Sequence, residues 1–174
     1  MKVNTKKLTL TALFSAFSLI AFMVEGLFPP LFIPGARLGL SNFFILTALY
    51  LLGVKESIIV FLVKIILGSV FSGNLSAILY SLPSGIISLS LEIFLIKKLK
   101  VSLLSASALG GVIHNIIQNA VFVLITKTPS LFSYLPYLSV LGLIAGAFVG
   151  ILCVLIIRLI YKNKTLEKFF LTEN

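Results

Sequence analysis

Residues 101–126 read VSLLSASALGGVIHNIIQNAVFVLIT, a run without one charged side chain that carries Gly110, Gly111, His114, Asn115, Gln118 and Asn119 near its middle. A membrane-spanning helix needs about 20 mostly apolar residues, and this run supplies them. A water-facing helix of this length would show charges on its outer face. His114 and Gln118 stand four apart and share one helical face; Asn115 and Asn119 share the adjacent one. The run therefore reads as a membrane helix with a polar stripe.

The same reading extends along the chain. Other charge-free runs cover 8–24, 38–54, 65–91 and 128–157. The third is broken by Ser72-Gly73-Asn74, a turn signal, so 56–72 becomes its own span with Lys64 inside it. The last contains Pro129 and Pro136, which places its helix start near Tyr137. Six spans are expected, at about 8–28, 37–53, 56–72, 75–96, 102–126 and 137–160. Spans two and three are short for a hydrocarbon core of about 30 Å.

Composition excludes a soluble globular fold. Of 174 residues, 59% are hydrophobic and 11% charged, with a mean hydropathy of +1.18; a soluble domain carries about 25% charged residues. The fold class is all-α, a polytopic membrane protein forming one transmembrane domain over 1–174. One cysteine, Cys153, excludes an internal disulfide and a cysteine-based metal cage. There is no low-complexity stretch and no internal repeat. Residues 162–174 look like a polar, fraying end.

The net charge of +9 would suggest nucleic acid in a soluble protein. Here it maps to loops. With the N-terminus inside, the cytoplasmic side holds Lys2, Lys6, Lys7, Lys55, Lys97, Lys98, Lys100, Arg158, Lys162, Lys164 and Lys168; the outer side holds Arg37 and Lys127. This bias fits an even number of spans with both termini cytoplasmic and the bilayer, not nucleic acid, as partner. A five-span path loses the bias. Lys2, Lys6 and Lys7 before an apolar run resemble a signal peptide, but no A-x-A-like cleavage site follows, so the run reads as the first helix.

Polar residues at membrane depth are the candidates for function. Lys64 falls mid-span, Glu25 and Arg37 near the outer ends of spans one and two, Asn42 slightly deeper, His114 near the midplane and Gln118 about 6 Å further out. Tyr80-Ser81-Leu82-Pro83-Ser84-Gly85 interrupts span four, because Pro83 removes a backbone donor. The shared depth suggests one outward-open cavity. Arg37 and Lys64 against Glu25 make it net positive, suited to a small anionic solute. The substrate-binding set is Arg37, Asn42, Lys64, His114, Asn115 and Gln118. Structural alternatives stand beside it: a Lys64–Glu25 pair, Arg37 as interfacial anchor, His114 as a packing residue, and Asn42 or Asn115 as interhelical bonds. Glu92 is expected to pair with Lys97 or Lys98. Gly142, Gly146 and Gly150 make a small strip on span six, for internal packing or a partner helix; Ala12 and Ala16 make a shorter one on span one.

The chain holds no phosphate-binding loop of the G-x-x-x-x-G-K-[ST] kind, no Cys/His metal cluster and no aspartate. An aspartate-rich magnesium-diphosphate site is therefore excluded. No catalytic set, metal site or cofactor site is read.

Pro34-Gly35-Ala36-Arg37-Leu38-Gly39-Leu40-Ser41-Asn42, the helix end Leu52-Gly53-Val54-Lys55-Glu56, and Gly110 to Gln118 together resemble the Gx transporter family, many of whose members are labelled heptaprenyl diphosphate synthase component I. The resemblance covers nearly the whole chain. That family is in turn similar to the substrate-binding S components of energy-coupling factor (ECF) importers. It implies a six-helix S-component-like bundle in the bacterial inner (cytoplasmic) membrane. Such a chain binds a vitamin- or cofactor-like solute from outside, while a membrane coupling subunit and ATPases act in trans. It also implies that Ala12 and Ala16 dock the coupling subunit. The alternative it implies is an accessory subunit of prenyl diphosphate or quinone metabolism, or of flavin-based electron transfer. The synthase label conflicts with the absence of aspartate.

Overall fold

The computed structural model describes residues 5–27 and 39–171. Arg37 and the segment Pro34 to Leu38 lie outside them. The described residues form seven α-helices and no strand: α1 (Thr5–Leu27), α2 (Leu40–Leu51), α3 (Val54–Phe71), α4 (Ala77–Ile93), α5 (Leu103–Thr126), α6 (Leu135–Lys162) and α7 (Lys164–Leu171). α4 runs on into a π-helical segment, Phe94–Lys98, and a 3-10 turn, Pro129–Tyr134, leads into α6.

The breaks follow local chemistry. α2 stops because Gly53 takes φ +116, a conformation hostile to side chains. α3 ends at the Ser72-Gly73-Asn74 turn, where Gly73 has φ +67. Ser102 caps α5 by accepting from the Ser105 backbone N–H at 3.1 Å. Pro136 falls in the first turn of α6, where its missing N–H has no intrahelical partner to lose.

Four helical segments are long and apolar enough to cross a membrane: α1, α4 with its π-helical extension, α5, and α6 with its 3-10 lead-in. α2 is apolar but has 12 residues, about 18 Å of rise. α3 carries Lys55, Glu56 and Lys64. Large apolar side chains on several helices point outward, among them Phe17, Ile66, Leu124 and Leu155, each at least half exposed. A surface of this kind suits lipid and not water.

α5 and α6 share the most extensive interface, and glycine makes it possible. A Cβ on Gly111 or Gly142 would strike the other's backbone; one on Gly146 would strike Ser107, and one on Gly150 would press on Leu104. The glycine strip of α6 is thus filled by α5 and is internal. α2 packs against α1, α3 and α6 and is the most enclosed helix, with Leu46, Ala48 and Leu49 at 1% exposure or less.

Residues Lys164–Leu171 form a helix where the polar sequence suggested a frayed end. The Asn163 side chain accepts from the Thr165 and Leu166 backbone N–H groups and opens α7. Phe170 then packs on the core, and the Lys6 ammonium sits 4.9 Å from the Phe169 ring centre.

Candidate functional site: a polar cluster inside the helical bundle

Lys64 is the anchor. It lies midway along α3 and is 6% exposed. Its ammonium donates to Asn42 Oδ1 at 2.8 Å. Asn42 is placed for this by the start of α2: Gly39, at φ +76, turns the chain in, and its carbonyl accepts the Asn42 N–H. A lysine this enclosed requires polar company, and α2 brings it.

Glu25 has a different task from neutralising Lys64. Its Oε1 accepts the Leu40 backbone N–H at 2.8 Å, capping a donor that the first turn of α2 leaves unsatisfied. Ser18 Oγ, about two turns earlier on α1, donates to the Ser41 carbonyl at 2.9 Å. These two contacts tie α1 to the head of α2.

α4 and α5 complete the cluster. His114 Nδ1 lies 3.3 Å from Ser88 Oγ, which also donates to the Gly85 carbonyl. Gln118 stands four residues after His114 and shares its helical face.

Asn115 and Asn119 point elsewhere. Asn115 Nδ2 donates to the Leu138 carbonyl at 2.8 Å, and Asn119 Nδ2 to the Leu131 carbonyl at 3.3 Å. Both stitch α5 to the chain around the head of α6. The described structure thus joins Lys64 to Asn42 and His114 to Ser88, and turns the amide of Asn115 to the α5–α6 seam.

Glu92 is the member that sequence reasoning misplaced. Its expected pairing with Lys97 or Lys98 does not form. Those lysines lie exposed in the π-helical segment, whereas the Glu92 side chain lies across Gly110 of α5. Gly110 has no Cβ to obstruct it. The available signal was Gly110 itself, a glycine one turn before His114. Glu92 thus adds an acidic side chain on the α4–α5 side of the bundle that the sequence reading had placed near the inner lysines. Among the described residues no three His, Cys, Asp or Glu side chains converge to hold a metal ion.

A second feature is a groove of about 590 Å³ between α1 and α3. Ala12, Ser15 and Ala16 line one side, and Ile59 and Val63 the other. A Lys7–Glu56 ion pair at 3.0 Å closes one end. Ala12 and Ala16 are exposed along it.

Fold and site together define an all-helical membrane protein with a polar cluster assembled inside its bundle. Residues 14–156 match the family model described as heptaprenyl diphosphate synthase component I, and the chain belongs to that family. No curated protein matches the chain, and no solved structure does. The family's description names a synthase component, which is not in itself evidence of catalysis.

Proposed function

We propose that this chain is the solute-binding membrane component of an ECF-like importer. It crosses the bacterial cytoplasmic membrane six times with both termini inside, α2 and α3 being the two short crossings. It takes a small solute carrying an anionic group from the outer side. The observation that carries this reading is Lys64, a cation buried at the middle of an apolar bundle and held by Asn42. An ionisable residue at membrane depth marks a functional site by default, and His114 and Gln118 on α5 add hydrogen-bonding groups of the kind that orient a polar ligand.

The groove between α1 and α3 supplies the second half. Small residues allow a partner helix to approach closely, and Ala12 and Ala16 lie exposed there. In this reading it receives a membrane coupling subunit, which transmits work from ATPases in trans. Gentle purification of the tagged chain from its own membranes tests this. Co-elution of a membrane protein and ATPases, lost in the double substitution A12L/A16L, supports it. Co-elution unchanged by that substitution contradicts the docking site.

The family's description favours one other reading: an accessory membrane subunit of prenyl diphosphate or quinone metabolism, without a catalytic site of its own. It predicts co-elution of a soluble prenyl-transferring partner in place of ATPases.

A further inference from the structure

The depth of α7 is fixed by the helix that leads into it. Between Tyr137 and Arg158, α6 carries 20 residues without a charge, 138–157. At 1.5 Å per residue they rise about 30 Å, the thickness of a hydrocarbon core. Tyr134 and Tyr137, both exposed, stand at one end of that stretch, and Arg158 and Lys162, also exposed, at the other. Aromatic rings and basic side chains in these places mark the two membrane surfaces. α6 ends one turn past Arg158, at headgroup depth. Asn163, at φ −103 and ψ 104, breaks the helix there. Phe170 then packs against the core, and Phe169 meets Lys6 of α1, so α7 is held against the end of the bundle.

The two faces of α7 differ. Leu166, Phe169 and Phe170 fall together on the helical wheel, and Lys164 and Lys168 fall opposite them. Phe170 is half-buried, whereas Leu166 and Phe169 stay 39% and 49% exposed. Lys162, Lys164 and Lys168 are exposed as well, against the carboxylate of Glu167 alone on α7. An apolar flank beside a basic one, at headgroup depth, matches the two halves of an anionic phospholipid. A soluble acidic partner would account for the lysines and leave Leu166 and Phe169 without a role.

We propose that α7 is an interfacial helix that holds anionic phospholipid: Lys162, Lys164 and Lys168 take the phosphate groups, and Leu166 and Phe169 enter the acyl layer beside the bundle. This inference makes no use of the solute site. It stands or falls with the path of α6 and α7 through the membrane and along its surface.

The chain holds no tryptophan, so Phe169→Trp in the full chain introduces a single fluorescent reporter. In bilayers of phosphatidylglycerol, brominated acyl chains are expected to quench F169W by about half. No quenching would place α7 away from the acyl layer and overturn the proposal. Headgroup choice is read by native mass spectrometry of the delipidated full chain in detergent, with phosphatidylglycerol, phosphatidylcholine and glycerol phosphate at equal concentration. The anionic lipid is expected to be retained about fivefold over the zwitterionic one. K162Q/K164Q/K168Q is expected to lose that preference, and K162R/K164R/K168R, which keeps the charges, to retain it. Equal retention of the two lipids, a preference that survives in the glutamine variant, or glycerol phosphate retained in place of lipid would each overturn the proposal.

Discussion

At the scale of the residue, the account turns on Lys64. Its bond to Asn42 joins α3 to α2. Lys64→Met preserves much of the stem's apolar packing and deletes the donor. It is expected to weaken solute retention at least tenfold, about 1.4 kcal/mol, while the chain stays monodisperse in gel filtration. Retention equal to the unmodified chain would detach Lys64 from the site. Glu25 belongs to structure: Glu25→Ala removes the partner of the Leu40 N–H and is expected to cost about 1 kcal/mol of stability, read as a lower melting temperature. Lys64 and its partner Asn42 stand out in the sequence, because polar residues at depth contrast with an apolar chain. The place of Glu92 does not. Its distance along the chain from Lys97 and Lys98 gave no hint that Gly110 of the neighbouring helix leaves room for it.

At the scale of the element, glycine decides the closest contact. Gly146→Leu would drive a side chain into the Ser107 backbone, so the α5–α6 interface must open. Overpacking of this kind costs about 1–3 kcal/mol, and the expected readout is a lower melting temperature with aggregation on purification. A stable G146L chain would contradict the internal role of the strip. Helix boundaries were largely legible, because charge-free runs, the Ser72-Gly73-Asn74 turn and Pro129 mark them directly. The short α2 fits its run less well: its described helix covers Leu40–Leu51 within the expected 37–53. α7 escaped notice, since its order depends on a cap from Asn163 and on the core that Phe170 meets, neither of which its polar composition displays.

At the scale of the whole molecule, the polar cluster and the α1–α3 groove involve different residues but share α1 and α3. Solute binding and partner docking are thus expected to separate by mutation. A12L/A16L should release the partners and keep the solute, whereas Lys64→Met should do the reverse. Loss of both functions in A12L/A16L would mean that the groove supports the bundle itself. The charge pattern and hydropathy made a membrane protein evident from composition alone, since only 11% of residues are charged. The surroundings of Glu92 were harder to read, because its side chain lies across Gly110 of a neighbouring helix. Native mass spectrometry of the chain, purified gently from its own membranes and compared with Lys64→Met, tests the central claim most directly. The account predicts a small non-covalent mass on the unmodified chain that is lost from the variant. Identical bare masses for both chains would contradict it.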